Sequence, residues 1–311
     1  YYGICSELSK IITLAHENGM RVIVDEAHGT HFYFGEGMPP AAMHCGADLS
    51  AVSMHKTGGS LTQSSLLLAG EGMSGGYLRQ IINLTQTTSA SYLLLSSLDI
   101  SRRNLACEGR EIFAKVTKLA NYARQEINDL GGYYAFGKEL TEDPAVCYFD
   151  ATKLSIFTRD IGLAGVEVYD ILRDEYGIQI ELGDLANVLA ILSVGDNTLA
   201  VERLVSALFE IKRRYARDPA GMFDHEYVTP IVETPPQEAF YAKKRAVPIA
   251  ESKGAICGEF VMCYPPGIPI LAPGERITDE IIAYIFYAKE KGSKLIGTED
   301  LTLETIRVLE V

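Results

Sequence analysis

Between positions 6 and 69, short β-branched runs alternate with helical stretches, and no other feature of the sequence constrains the fold as much. Residues 6–18 read as an amphipathic helix: Ser6 is the N-cap, Leu8, Ile11, Ile12 and Ala15 share one face, and Gly19 is the stop. Residues 21–24 are the first expected buried strand, ending at Asp25. Residues 39–45 are expected as a short helix closed by Gly46, 49–53 as a second strand and 65–69 as a third. Strand, helix and strand in turn imply a parallel α/β sheet.

Residues 89–129 read as helical almost throughout, as two helices with a break at 107–109, and Gly131 and Gly132 punctuate them. From about position 146 the texture changes. The runs "LSIFT", "IQIEL" and "NVLAILSV" are strand-like and alternate with helical stretches at 166–176 and 198–215, which reads as a separate α+β domain. A linker rich in proline and charge follows at 217–236. The last block, 237–311, carries the Pro/Gly-dense loop "YPPGIPILAPGE", one helix at 278–291 and a strand-like tail. The chain is thus expected to divide at 1–145, 146–218 and 219–311, with no internal repeat and no low-complexity segment.

A net charge of -13 argues against nucleic acid or an acidic membrane surface as partner. No run of about 18 apolar residues is present, so no transmembrane helix is expected. Six cysteines lie scattered with no CxxC, which reads as reduced thiols of a cytosolic, cytoplasmic protein rather than a disulfide frame or a metal site. The chain opens "YYGICSELSK" with no initiator Met and no signal-peptide pattern.

The chemistry concentrates where the first two strands run out. One end carries Asp25, Glu26, Ala27 and His28, the other Ser53, His55 and Lys56 in "AVSMHKTGGSLTQSS". Ligands of open α/β sheets bind beyond the carboxyl ends of strands. A lysine acting there as an amine nucleophile must be desolvated or sit beside cationic groups, so that its pKa falls. Asp25, 31 positions upstream of Lys56, could pair with a cationic ring nitrogen. A lysine for a Schiff base and a carboxylate for a pyridinium proton are two demands of pyridoxal phosphate.

"VDEAHG", then "SMHKTGGSLTQSS", "TTSASYLLLSSLD" and "YPPGIPILAPGE", in that order along essentially the whole chain, resemble the ornithine/lysine/arginine decarboxylase family. "DEAHG" is similar to the branch common in Gram-positive bacteria. The resemblance implies a pyridoxal 5'-phosphate enzyme of the aspartate-aminotransferase fold, an α/β fold of type I. Here it would comprise the C-terminal part of the cofactor-binding large domain, an α+β small domain and a C-terminal decarboxylase domain. The implied reaction removes carbon dioxide from arginine, lysine or ornithine to give the amine.

The resemblance also implies roles. Lys56 matches the Schiff-base lysine and Asp25 the pyridine-nitrogen aspartate. Ala27 would pack behind the ring, and His28 would reach the phenolic oxygen. Ser53 and His55 match positions that contact the cofactor phosphate, and Thr87 one that reaches the phosphate of a neighbouring subunit. Glu259 and Tyr264 match the substrate entry region. Each has a plainer alternative: Asp25 or Thr87 as a cap, His28 as a core histidine, Glu259 in a structural ion pair. His16, His31 and His44 read as structural histidines.

Family members of this branch would carry further sequence upstream, including a phosphate loop and a group stacking on the ring. The chain therefore reads as the C-terminal part of an enzyme, inactive alone, with exposed sheet edges and apolar faces. The N-terminal half would come from the same protein or a second chain. Thr87 and the apolar residues Tyr92, Leu93, Leu94, Leu95 and Leu98 imply a homodimer or larger assembly. An aminotransferase of the same fold would want an arginine for the α-carboxylate, for which Arg159 and Arg173 are available. A non-catalytic subunit is the third reading.

Overall fold

The computed structural model of the protein describes residues 1–219, 228–264 and 267–310. The chain divides into two units. The first comprises Tyr1–Gly131, Ala135–Ser155 and Ala190–Ser206, the second Gly132–Tyr134, Ile156–Leu189 and Ala207–Val311.

In chain order the first unit begins with β1 (Ile4–Cys5), α1 (Leu8–Glu17) and β2 (Ile23–Asp25). The helix starts one turn position later than expected. Ser6 is not its N-cap, because the Ser6 carbonyl already accepts the Leu8 N–H at 2.9 Å, and Glu7 takes the cap position. A 3₁₀ turn, Thr30–Tyr33, follows β2. The short helix expected at 39–45 is absent and turns take its place. Pro39 and Pro40 bring no N–H, and the Ala42 N–H is taken by the Glu26 carboxylate at 2.8 Å.

Next come β3 (Leu49–Val52), the single turn α2 (Met54–Thr57) and β4 (Leu66–Ala69). These strands form a sheet of order β2-β3-β4. The pair β2–β3 is parallel, with Ile23 opposite Leu49 and Asp25 opposite Ala51. The pair β3–β4 is antiparallel, Leu49 opposite Ala69, so the parallel expectation fails for the third strand. A parallel return needs a crossover of a dozen or more residues, usually a full helix, and this connection carries only the one turn of α2.

Then α3 (Gly75–Thr85) and α4 (Tyr92–Asp129) follow. Sequence reading missed α3. It opens on two glycines, each about 1 kcal/mol less favourable in a helix than alanine, and is held by the Ser74 cap on the Tyr77 N–H. α4 is continuous over 38 residues, not broken at 107–109. Leu105, Gly109, Phe113, Val116, Ala120, Ala123 and Ile127 are buried along it at the three-and-four spacing of a single face. Gly109 is not a breaker but a close approach: a Cβ there would lie 2.7 Å from the Phe34 Cβ.

The chain continues through β5 (Tyr134–Ala135), β6 (Tyr148–Phe149), which pairs antiparallel with β1, and β7 (Lys153–Phe157). Then come α5 (Gly165–Tyr176), β8 (Leu182–Gly183), β9 (Asn187–Ile191) and α6 (Thr198–Tyr215). A sheet of order β5-β7-β9-β8 gathers these strands. Of "IQIEL" only Leu182 is in a strand, because the Ile178 N–H closes the end of α5 on the Leu172 carbonyl.

The remaining elements are α7 (Pro236–Tyr241), β10 (Lys244–Pro248), β11 (Val261–Cys263), β12 (Ile268–Leu271), α8 (Asp279–Glu290), β13 (Leu295–Ile296) and β14 (Thr305–Leu309). β10 pairs with β14, and β11 lies between β12 and β13. Val247, Ile249, Val261, Leu271, Ile281, Ile285, Ile306 and Val308 belong to one buried cluster here. The sequence "YPPGIPILAPGE" is not all loop, since Ile268–Leu271 pairs with β11, and its Pro269 sits on an edge strand, where a missing N–H is tolerated. Pro265 and Pro266 of that run, and 220–227 of the expected linker, lie outside the described residues.

Replacing Gly109 tests its packing role. Helix propensity alone favours a larger residue by about 1 kcal/mol, whereas overpacking against Phe34 costs about 1–3 kcal/mol. Gly109→Leu should therefore lower the urea midpoint, and a raised midpoint would show that Phe34 gives way freely.

Candidate functional site

Parallel pairing of β2 and β3 brings two strand ends to one edge of the first unit. Beyond β2, Asp25 is exposed and accepts the Ala27 N–H at 3.1 Å, an Asx-type turn that reverses the chain toward His28. Glu26, next to it, points the other way. It is buried and accepts from the Tyr33 hydroxyl (2.6 Å), the Ala42 N–H (2.8 Å) and the Ser50 hydroxyl (2.9 Å). Beyond β3, Ser53 precedes α2, whose Met54 and Thr57 are buried while Lys56 is exposed.

Lys56 Nζ lies 3.2 Å from His28 Nε2. Burial, then the positive charges of Lys56 and Lys153, push the His28 imidazole down to about 3. It is therefore neutral near pH 7. A neutral ring that accepts at Nε2 carries its proton on Nδ1. That Nδ1 is buried and makes no hydrogen bond among the described residues. The Tyr1 ring packs edge-on against His28 at 4.5 Å. A cavity of about 290 Å³ is lined by Tyr1, Asp25, His28, Tyr148, Asp150 and Lys153 among others.

His55 is turned away from this group. Both its N–H and its Nδ1 face the Ser64 carbonyl, at 3.3 and 2.9 Å, tying α2 to the start of β4. Thr87, in the link between α3 and α4, is exposed, and its hydroxyl accepts the Ser89 N–H at 3.2 Å. Glu259 and Tyr264 belong to the second unit. Glu259 accepts the backbone N–H groups of Glu299 and Arg307 at 2.9 and 2.8 Å, and Tyr264 is half exposed. Arg173 forms exposed ion pairs with Asp170 and Asp174.

A buried polar network beneath α2 escaped the sequence analysis. Asp150 Oδ2 accepts from His31 Nε2 at 2.9 Å and from Lys153 Nζ at 3.0 Å, while Oδ1 accepts from the Thr152 hydroxyl at 2.7 Å and the Thr152 N–H at 3.0 Å. Burial pushes the Asp150 carboxyl up. The hydrogen bond and charge of His31, the charge of Lys153 and the Thr152 hydroxyl outweigh it and hold the group well below the usual carboxylate range. The opposite face of His31, Nδ1, lies 3.3 Å from the Thr57 hydroxyl. His31 and Asp150 stand 119 positions apart and in no common motif, so no local signal joins them.

Residues 1–199 match the profile of the Orn/Lys/Arg decarboxylase major domain, and residues 220–302 that of its C-terminal domain. The chain belongs to the Orn/Lys/Arg decarboxylase family. It is 43% identical to an arginine decarboxylase of Bacillus subtilis, with all of this chain and 64% of that protein aligned. The chain thus spans a little under two thirds of such relatives. Among solved structures, lysine decarboxylase A of Pseudomonas aeruginosa superposes with a TM-score of 0.77 at 19% identity, covering 100% of this chain and 56% of that one. An alanine–glyoxylate aminotransferase from Nostoc sp. superposes at 0.53 and 19%, covering 67% of this chain and 58% of that one. The fold is therefore the α/β fold of lysine decarboxylases and their aminotransferase-like neighbours. No helix among the described residues is long and apolar enough to cross a membrane.

Two predictions concern charge. Asp150→Asn leaves the buried Lys153 without its carboxylate and should cost about 3–5 kcal/mol. Because the Asp150 pKa is depressed by folding, its contribution is full above the unfolded value of about 4 and is lost as pH falls below it. The wild type should lose stability in that acid window and the variant should lose less; parallel acid titrations of unfolding would refute the assignment.

His28 has the opposite starting point. Its folded pKa lies below the ordinary 6.5, so the unfolded chain takes up the proton first, and the linked stability is present above 6.5 and declines toward about pH 3. Nitrogen-15 spectra should show a neutral His28 ring protonated at Nδ1 and no titration near 6.5. An inflection there would overturn the assignment.

Proposed function

We propose that the protein carrying this chain is a pyridoxal-phosphate-dependent decarboxylase of a basic amino acid, arginine in the first instance. The supporting observation is the convergence of Lys56, a neutral His28 and Asp25 at the ends of two parallel strands. The donor set suits the cofactor. Lys56 is exposed, Asp25 is exposed and lines the cavity, and the buried His28 Nδ1–H is a donor that an anionic oxygen would satisfy. The arginine decarboxylases among the relatives support the substrate.

Pyridoxal phosphate would supply an aldehyde for a lysine amine and a pyridinium ring that accepts the electron pair left by departing carbon dioxide. The chain's own residues serve that chemistry. Lys56 supplies the amine, and Asp25 holds the pyridinium proton. His28, whose Nε2 faces Lys56, would donate from Nδ1 to the phenolic oxygen. Ala27 would back the ring, Ser53 would lie toward the phosphate, and Thr87 would serve the phosphate of a neighbouring subunit. Glu259 and Tyr264 would serve substrate entry.

Further polypeptide, from the same protein or a second chain, completes the site. The support is that β2 is an edge strand among the described residues, with Ile23 69% exposed. A second copy covers α3 and the start of α4, where Tyr77, Leu84, Tyr92 and Leu93 are exposed.

In the protein carrying this chain, arginine, lysine and ornithine should be compared by amine and carbon dioxide released, with arginine preferred. Lys56→Ala should lower turnover by at least ~10³-fold, as loss of a covalent nucleophile does. Near-normal turnover in that variant, or release from none of the three substrates, would refute the reading. Mixing Lys56→Ala subunits with Thr87→Val subunits should restore part of the activity, since one of the two shared sites then carries neither lesion.

A further inference from the structure

α2 cannot hold itself in place. It is one turn of four residues, closed by a Gly58 N–H to Met54 carbonyl bond of 2.8 Å, and isolated helices far longer than this are marginal in water. Its position must come from tertiary contacts, and the neighbouring 3₁₀ turn supplies them at both ends. The Thr30 hydroxyl donates to the Ser53 carbonyl at 3.1 Å, at the start of α2. His31 Nδ1 bonds with the Thr57 hydroxyl at 3.3 Å, at its end. A Cβ on Gly58 would lie 2.7 Å from the Met54 carbonyl and 3.0 Å from the Thr30 methyl, so the two turns are in close contact there. His31 is fixed in turn by Asp150 and by the Thr152 hydroxyl, 3.3 Å from Nε2. His31, Thr57 and Asp150 are all buried, whereas Lys56 between these anchors is exposed.

We infer that the buried relay Asp150–His31–Thr57, together with the Thr30–Ser53 bond, is the positioning device for Lys56, holding its backbone so that the amine is presented beside His28. The inference rests on the reading of Lys56 as the lysine that holds the cofactor. Thr57, His31 and Asp150 are positioning residues, and none needs to touch substrate. A valine would fill the Thr57 site equally well, so the hydroxyl is present for its bond to His31.

The test uses Thr57→Val and Thr57→Ser in the protein carrying this chain. One measurement is amide hydrogen exchange over residues 54–58 relative to the slowest core amides. The other is the rate at which added pyridoxal phosphate becomes borohydride-trapped on Lys56, read by mass spectrometry. Thr57→Val should speed local exchange and slow trapping by roughly five- to tenfold, the ratio that one net hydrogen bond represents. Thr57→Ser should return both to wild-type values, which a role in packing alone would not produce. Wild-type exchange and trapping in Thr57→Val, or a serine variant that behaves like valine, would overturn the inference. If the wild type itself traps nothing at Lys56, the cofactor reading falls, and local exchange alone decides whether the relay holds α2.

Discussion

The parallel pairing of β2 with β3 is the constraint on which the rest of the first unit depends. In parallel strands the carboxyl ends lie at the same edge, so the chain after Asp25 and the chain after Val52 leave the sheet side by side. A residue on one exit can then meet a residue on the other, as His28 meets Lys56. The reversal of β4 is a consequence of the same arrangement. β3 and β4 run antiparallel, so the segment between them, whose one helical turn is α2, stays at the edge where Asp25 and His28 are.

Two buried acidic side chains stabilise the sheet through backbone groups rather than through ion pairs alone, Glu26 beyond the carboxyl end of β2 and Asp48 before the amino end of β3. Glu26 gathers Tyr33, Ala42 and Ser50. Asp48 accepts the Val22 N–H at 2.8 Å together with His16 and Arg21, and that backbone bond, then those side chains, hold its carboxyl well below the usual range. Carboxylates bonded to backbone N–H groups are among the stronger hydrogen-bonded pairs in proteins. In "DE" the adjacent residues differ in environment: Asp25 is exposed, whereas Glu26 is buried among its three donors.

Where the sequence was legible, one period ran without interruption. The helices expected at 166–176, 198–215 and 278–291 stand as Gly165–Tyr176, Thr198–Tyr215 and Asp279–Glu290, since each carries an apolar stripe of helical period. The strand ends were legible because short apolar runs stop abruptly at polar residues. What was not legible depended on distant side chains. Glu26 takes the N–H that a helix at 39–45 would need, and Phe34 gives Gly109 a packing role that local sequence reads as a break. The same holds at the site. Lys56, Asp25 and His28 stood out through their motifs, whereas His31 read as an ordinary core histidine, because its partner Asp150 is known only from the folded chain.

Arg124 adds a property of a different kind. Its guanidinium is buried and donates to the carbonyls of Phe136, Ala151 and Lys153 at 2.8, 3.1 and 3.0 Å and to the Asn121 amide oxygen at 2.9 Å. These acceptors are dipoles without formal charge. Mobile counter-ions weaken attraction between opposite charges reached through solvent, and they have little purchase on a cation seated among oriented carbonyls out of water. The segment from Ala151 to Lys153, and with it Asp150 just beyond β6, is therefore clamped by buried hydrogen bonds that salt screens little. A rise in salt would loosen the exposed pairs of α5 and α6 before it disturbed the floor under Lys56.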